Sequence, residues 1–148
     1  MKPILGIFDF LGIIDVLYYT GVEPYKKHTG DAGYDLFVSE DVIIPPGKGY
    51  NVPVNTAITS RRMWLLLVGR SSTFHKRNLI VNQAIIDNGY TDLLHMFVYN
   101  MSKDYAELKA GDRVGQVIPF RLNKTVLVNG EIHKKDERGI EGYGSTGE

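Results

Sequence analysis

One stretch of the sequence, Asn82–Tyr90, combines residue types that could activate and hold a small molecule. Two strand-like apolar runs, Leu79–Ile86 and Leu93–Tyr99, surround an Asp-Asn-Gly turn signal at 87–89, which predicts a β-hairpin because Asn and Gly tolerate positive φ. Asp87 follows two isoleucines, and partial desolvation would suit its carboxylate to act as a base. Tyr90 could form one wall of a binding site. The alternative, favoured for this stretch taken alone, is a surface turn without chemistry.

Three further stretches carry side chains suited to phosphate or to a metal ion. They are Ala32–Leu36, Gly69–Ser72 and Gly111–Gln116. Arg70 offers a planar, charged fork for phosphate oxygens, and the two serines after it add hydroxyl groups. Asp35 could serve a metal ion directly or through its water, and the Gln116 amide could bind a phosphate or a base. Each stretch also has a structural interpretation, as a strand start, a strand end with an N-capping serine, and a turn.

The last stretch, Arg138–Gly147, predicts a flexible arm that contacts a ligand. Arg138 can pair with phosphate, and Ser145 and Thr146 supply hydroxyl groups. Tyr143 supplies a flat face on which a base can stack. The alternative is a disordered tail, but an arginine and an aromatic residue among glycines favour the binding arm.

Composition excludes several classes of function. The 17 Lys and Arg residues balance 17 Asp and Glu residues, so no general affinity for nucleic acid is expected. The absence of cysteine excludes disulfides and thiol nucleophiles, and the four histidines show no metal-ligand spacing. The apolar stretch Ile4–Tyr19 is interrupted by Asp9 and Asp15, so neither a membrane span nor a signal peptide is expected. We therefore expect a cytoplasmic protein, or one of the host cytoplasm if the chain is viral, without a membrane partner.

The pattern of short apolar runs predicts an all-β fold. Pro, Gly and Asn-Gly signals separate many strand-like runs, and no stretch sustains a long helical period. A barrel or a sandwich satisfies this pattern. Thr125–His133 is predicted as a second hairpin with an Asn-Gly turn. We expect one domain over residues 16–148, with 138–148 as its arm, and an N-terminal extension over residues 1–15 that is a strand or a short helix.

Taken together, the five stretches resemble the five motifs of the homotrimeric dUTPases. They follow the family order and spacing, and the resemblance spans roughly residues 16–148. It implies a jelly-roll-like β-barrel that forms a homotrimer, with three active sites built at subunit interfaces and a C-terminal arm. It also implies hydrolysis of dUTP to dUMP and diphosphate with Mg²⁺.

The resemblance assigns roles to individual residues. Asp87 would be the general base that deprotonates a water attacking the α-phosphorus, and Asp35 would face the metal through water. The groups expected to hold phosphate oxygens belong to Arg70, Ser71, Ser72 and Gln116. Backbone groups near Asn82 and Ile86 would bind the uracil edge, and Tyr90 would pack against the deoxyribose. The arm residues expected at the substrate are Arg138, Tyr143, Gly144, Ser145 and Thr146, with Tyr143 on uracil and the others at the γ-phosphate end.

The chain departs from the family pattern in one notable place, and two rival functions follow from the same fold. Asp92 stands where many members have glycine, which predicts a local rearrangement after the turn. A dCTP deaminase shares the fold and the trimer, but its strand after the turn carries a glutamate that is missing from Leu94–Asn100. A non-catalytic trimer that binds another protein is the second rival. Such a scaffold needs neither Asp87 nor Arg70.

Overall fold

The computed structural model describes residues 2–130, and it describes side chains from Ile4 onward. The described chain is mostly β-strand. Its two helices are α1 (Lys2–Phe10) and α2 (Ser71–Arg77). The strands are β1 (Leu17–Gly21), β2 (Tyr34–Phe37), β3 (Val42–Ile44), β4 (Gly49–Pro53), β5 (Thr56–Ser60), β6 (Met63–Gly69), β7 (Leu79–Val81), β8 (Ala84–Ile86), β9 (His95–Asn100), β10 (Ala106–Leu108) and β11 (Arg113–Arg121).

All strand pairs among these elements are antiparallel. The largest sheet has the order β2-β11-β6-β8, and a second sheet has the order β4-β9-β7. Two smaller pairs join β1 to β5 and β3 to β10. Strand β11 is central to the site because Gln116 lies opposite Asp35 on one side and Gly115 lies opposite Gly69 on the other.

One cluster of buried apolar side chains lies between the larger sheets. Strand β9 shows how the sequence creates it, because buried and exposed residues alternate along its six positions. Met96 and Val98 point inward and are fully buried, whereas Phe97 and Tyr99 remain about 40% exposed. Leu67 from β6 and Val117 from β11 join the same cluster. Each such side chain stabilises the fold by about 1.5–3 kcal/mol when it is buried.

The predicted pairing of Leu79–Ile86 with Leu93–Tyr99 is confirmed for Leu79–Val81, which pairs with β9, and is wrong for Ala84–Ile86. The strand that precedes the turn, β8, pairs with β6, and the strand that follows, β9, pairs with β7 and β4. The local signal for a turn was correct, because Gly89 has a φ of +93°. A turn signal predicts only that the chain reverses direction there, whereas the strand partners depend on side-chain packing across the sheets.

The N-terminal extension contains a short helix, one of the two structures expected for it. Within residues 2–130, no helix is both long and apolar enough to cross a membrane. The second predicted hairpin is not observed in its described part, because residues 123–130 form no strand, and residues 131–133 lie outside the described chain. Val126, Leu127 and Val128 in this segment are at least 76% exposed.

Candidate functional site

Three of the predicted stretches meet around one cavity of about 600 Å³. Strand β2 contributes Asp35, the residue directly after β6 is Arg70, and β11 contributes Gln116. These three residues become neighbours because β11 pairs with both β2 and β6. The residues that line the cavity are Tyr25, Lys27, His28, Asp31, Ala32, Gly33, Asp35, Arg70, Ser71, Ser72, Arg113 and Gln116.

Asp35 holds two arginines at the cavity wall. Its Oδ1 atom is 3.0 Å from Arg70 Nε, and its Oδ2 atom is 3.2 Å from Arg113 Nη1. The Asp35 side chain is 15% exposed, and the arginines are about a third exposed. Arg113 also lies over the Tyr25 ring, 4.9 Å from its centroid. Two guanidinium groups against one carboxylate leave an excess of positive charge, which suits an anionic ligand.

The Gln116 side chain is packed against the backbone of two neighbouring strands. Its Nε2 atom donates a hydrogen bond to the Gly69 carbonyl at 3.3 Å. Its Oε1 atom lies so close to Gly33 that a Cβ at this position would overlap it. A side chain at Gly33 would therefore displace the Gln116 amide from its observed position. The Gln116 amide faces the cavity from a fixed position.

The two serines begin helix α2 directly after Arg70. Arg70 is the N-cap residue, and no side chain caps the helix, so the predicted N-capping role of a serine is wrong. Ser71 is exposed and Ser72 is half-buried at the cavity. The Thr73 hydroxyl donates a 2.7 Å hydrogen bond to the Val114 carbonyl, which fixes the first turn of the helix against β11.

Asp87 lies at the opposite end of β6. Its neighbour Ile86 pairs with Leu65, whereas Arg70 follows the other end of the strand. Leu65 and Arg70 are five residues apart on an extended chain, which is about 17 Å at about 3.3 Å per residue, and Asp87 lies one residue beyond the Leu65 end. In the single chain the Asp87 side chain is exposed, so the expected partial desolvation is absent there. It lines a separate cavity of about 250 Å³ with Trp64, Ile85, Asn88 and Leu122.

The loop that carries Asp87 is held by hydrogen bonds of its neighbours. The Tyr90 N–H donates to the Asp87 carbonyl at 3.1 Å, and the Tyr90 hydroxyl donates to the Leu93 carbonyl at 3.2 Å. Asp92 does not have a positive φ, and its carboxylate accepts a 2.7 Å hydrogen bond from the Leu93 N–H. The residues predicted to bind uracil, Asn82 and Ile86, both precede this loop, and Asn82 is exposed.

Some predicted site residues cannot be placed, and others were missed. Arg138, Tyr143, Gly144, Ser145 and Thr146 lie outside the described residues. The missed residues that line the cavity are Tyr25, Lys27, His28, Asp31 and Arg113. A signal existed only for Arg113, because it belongs to the Gly111–Gln116 stretch. The others precede the Ala32–Leu36 stretch and reach the cavity through tertiary contacts.

The donor set tests whether this cavity suits Mg²⁺. Among the described residues, no group of three His, Asp or Glu side chains could hold a metal ion. Asp35 retains free lone pairs on both oxygens besides its arginine contacts, and Mg²⁺ commonly binds one or two carboxylates together with water and substrate phosphates. The residues present therefore fit a magnesium ion that arrives with a phosphate ligand, and they do not fit a closed protein cage.

Comparisons with known proteins first define the fold. The structure superimposes on a dUTPase of Staphylococcus bacteriophage 80alpha with a TM-score of 0.82 and 22% identity, covering 89% of this chain and 98% of that one. A dUTPase from phage phi11 of S. aureus, described with a structural Mg(II) ion, gives a TM-score of 0.75 and 20% identity, covering 81% and 99%. The protein thus has the fold of the phage dUTPases.

Sequence comparisons then define the family. The dUTPase family model matches residues 21–147. A deoxyuridine 5'-triphosphate nucleotidohydrolase from Candida glabrata is 32% identical over 130 residues, covering 86% of this chain and 90% of the relative. The Pol polyprotein of an ovine maedi visna related virus is 33% identical over 128 residues, which cover 86% of this chain and 12% of the polyprotein. The chain belongs to the dUTPase family.

Proposed function

We propose that the chain hydrolyses dUTP to dUMP and diphosphate. The family match over residues 21–147 supports this function. The observation that carries it is the cavity in which Asp35 holds Arg70 and Arg113 beside the Gln116 amide. A triphosphate is strongly anionic, and such preorganised donors stabilise the charge that develops on phosphate oxygens during its hydrolysis.

The reaction divides between phosphate-binding groups and one base. Arg70, Gln116 and the two serine hydroxyls hold phosphate oxygens, and we add Arg113 to this set because it lines the same cavity. A water molecule attacks the α-phosphorus in line, and the Asp87 carboxylate accepts its proton. The bond from the α-phosphorus to the oxygen that bridges to the β-phosphate breaks, so diphosphate leaves with that oxygen. Most of the catalysis is positioning and charge stabilisation.

A magnesium ion fits this proposal through the substrate. When bound, it would neutralise phosphate charge and orient the phosphate oxygens. Asp35 would hold it through water. The ion pairs with Arg70 and Arg113 keep the Asp35 carboxylate facing the cavity. The same residue would therefore organise both the cationic groups and the metal.

The proposed site requires more than one copy of the chain. Asp87 and Arg70 lie at opposite ends of β6, more than about 17 Å apart along the strand, so one substrate α-phosphate cannot reach both within one chain. We infer a homotrimer in which one subunit supplies the cavity and a neighbour supplies Asp87, with the arm closing from a third. The exposed side chains of Phe97, Tyr99 and Leu127 are surfaces that such an assembly would cover. A jelly-roll-like barrel is the proposed form of each subunit.

Specificity for deoxyuridine would come from the Asp87 end. The Tyr90 ring is 41% exposed, and its hydroxyl is fixed on the Leu93 carbonyl, so its face is available to pack against the deoxyribose. Such a contact leaves no room for a 2′-hydroxyl. Backbone groups near Asn82 and Ile86 would bind the uracil edge, and Tyr143 of the arm would stack on the base. The cytoplasmic location remains a prediction.

The test of function is diphosphate release from dUTP, dTTP, UTP and dCTP with Mg²⁺. We expect release from dUTP alone, because the sugar contact excludes UTP and the uracil contacts exclude the other bases. Ammonia released from dCTP would instead assign the chain to the deaminases of this fold. A folded oligomer that releases neither product from any of the four nucleotides would support the protein-binding scaffold and overturn the proposal.

The test of the shared site is subunit mixing. Asp87→Asn and Arg70→Ala chains are each expected to be inactive, because each lacks one half of every site. When they are unfolded together and refolded in equal amounts, about a quarter of the sites in a random trimer combine two intact halves. We expect activity to return to about that fraction. If the mixture stays as inactive as its components, both halves belong to one chain and the shared site is wrong.

A further inference from the structure

The loop that carries Asp87 is anchored by the side chain next to it. Asn88 Nδ2 donates hydrogen bonds to the Ser60 carbonyl at 3.0 Å and to the Met63 carbonyl at 2.9 Å. These carbonyls belong to the last residue of β5 and the first residue of β6, on either side of a two-residue turn. One amide therefore ties the loop to the turn between two strands of the body.

The N-terminal helix contacts the two side chains of the same turn. Asp9 of α1 is 1% exposed, and its two carboxylate oxygens lie 3.1 Å from Arg61 Nε and 3.1 Å from Arg62 Nη1. The Tyr18 hydroxyl donates to Asp9 at 2.9 Å, and Arg62 also donates to the Phe10 carbonyl at 3.0 Å. Arg61 and Arg62 are the two residues of the turn. The helix therefore contacts the turn to whose flanking carbonyls Asn88 donates its hydrogen bonds.

These contacts form one continuous connection from the N-terminal extension to Asp87. We propose that Asn88 is a positioning residue for Asp87 and that the N-terminal helix, through Asp9, holds the turn to which Asn88 is bound. This inference rests on the proposed role of Asp87 as the base. It gives residues 1–15 a function within catalysis, in which Asn88 and Asp9 act through the position of Asp87.

The physical reason lies in how weakly the loop is otherwise held. Residues 87–90 are exposed, and no buried apolar side chain among them fixes the loop to the core. A base that must align a water molecule with phosphorus is sensitive to displacement, since a misplacement of about 1 Å can cost about 100-fold in rate. The two Asn88 hydrogen bonds supply this alignment, and the rigidity of the turn determines how well they do so.

The first experiment replaces Asn88 by alanine in the full chain. We expect kcat for dUTP to fall about 10- to 100-fold while KM changes less than about threefold, because the phosphate-binding cavity is untouched. Glu40→Ala, which truncates an exposed polar side chain between β2 and β3, is the control and should leave both constants unchanged. An Asn88→Ala enzyme with wild-type kcat would overturn the proposal.

The second experiment tests the connection to the helix. Arg61→Gln removes one of the two arginine contacts of Asp9. The Arg61 side chain is 52% exposed, so this variant is expected to fold. Asp9→Ala, at a buried carboxylate, is expected not to fold. We expect a smaller loss of kcat than for Asn88→Ala. In the double variant the loss should be no larger than for Asn88→Ala alone, because both changes act on one connection. If the fold-loss of kcat in the double variant equals the product of the two single losses, the two changes act independently, which would contradict the proposal.

Hydrogen exchange separates this inference from the proposed function. Amide exchange of a peptide covering residues 86–92 should be faster in Asn88→Ala and in Arg61→Gln than in the unchanged chain or in Glu40→Ala. This readout does not depend on activity. If Asp87→Asn keeps full activity, the proposed base is wrong even when the exchange result is positive. If exchange in Arg61→Gln is unchanged, the connection is wrong even when Asp87 is the base.

Discussion

The two ends of strand β6 carry the two halves of the proposed site, and they differ in how their side chains are held. At the cavity end, Asp35 forms ion pairs with Arg70 and Arg113, and Gln116 is packed over Gly33. At the other end, Asp87 is exposed on a loop that is anchored through neutral hydrogen bonds of its neighbours. The anion-binding half is therefore organised within a single chain.

The difference between the two ends of β6 indicates which half of the site depends on subunit association. A cluster of like charges such as the two arginines needs a carboxylate partner in the folded chain, because unpaired charges at a half-buried site are costly. An exposed aspartate has no such requirement and becomes useful as a base only when a ligand and a second subunit surround it. Changes at the cavity end should therefore weaken substrate binding, and changes at the loop end should weaken the chemical step.

The largest effect is expected for Asp87→Asn. The amide keeps the shape of the side chain and cannot accept the proton, so kcat should fall by about 10²–10⁴-fold. Substrate affinity and the thermal unfolding midpoint should remain close to those of the unchanged chain, since the Asp87 side chain is exposed. Kinetics of diphosphate release and a melting curve test both expectations. A variant with normal kcat would mean that the loop end carries no base.

Arg113→Ala should give the next largest effect. It removes one of the two guanidinium groups and leaves Asp35 with one partner, so kcat/KM for dUTP should fall about 100-fold, mainly through KM. Arg121→Ala is the matched control because Arg121 is an exposed arginine paired with Asp15 outside the cavity. Isothermal titration with a non-hydrolysable dUTP analogue measures the affinity directly. Equal affinities for the two variants would remove Arg113 from the site.

Gly33→Ala is expected to produce a moderate effect on the same cavity. The added Cβ overlaps Gln116 Oε1, so the amide must move away from its position, and we expect KM to rise about tenfold. Gly30→Ala has open space around its Cβ and serves as the control. Steady-state kinetics of the pair distinguish the steric effect from a general effect of replacing glycine near this strand. Similar KM values would show that Gln116 adjusts without cost.

The smallest effect concerns the turn that leads into Arg113. The backbone N–H of Ala110 holds the pKa of Asp41 below its usual value of 3.8, and Lys109 adds to this effect. Because the folded-state pKa is lowered, this contact stabilises the protein above the unfolded-state pKa, and the contribution is lost as the pH falls through the folded-state value. Asp41→Asn should therefore melt slightly earlier than the unchanged chain at pH 7 and together with it near pH 2.

Glu40→Gln is the control for this measurement, since Glu40 is the exposed neighbour of Asp41. Thermal unfolding followed by circular dichroism at both pH values is sufficient. A difference between Asp41→Asn and the unchanged chain that persists at low pH would mean that the contact does not depend on the charge of the carboxylate.

The family and the mostly β character could be predicted from the sequence, and both are confirmed. Local sequence signals predicted the structure correctly where one backbone conformation favours one residue type. Gly89 is such a position, because its φ is positive and glycine adopts positive φ without strain. Local signals failed for the strand partners of β8, because an apolar run contains no information about which neighbouring strand will bury it. The individual site assignments, the trimer and the residues of the arm remain predictions.

The sequence by itself determined the chemical groups and the order in which the chain supplies them. Those depend on residue type and spacing, which tertiary contacts cannot alter. Only the tertiary structure decided which groups are neighbours. Strand pairing brings Asp35, Arg70 and Gln116 into one cavity and leaves Asp87 at the far end of β6, because hydrogen bonds between strands determine distances that sequence separation does not. Side-chain contacts likewise connect Asp9 to Asn88 through the turn at Arg61 and Arg62.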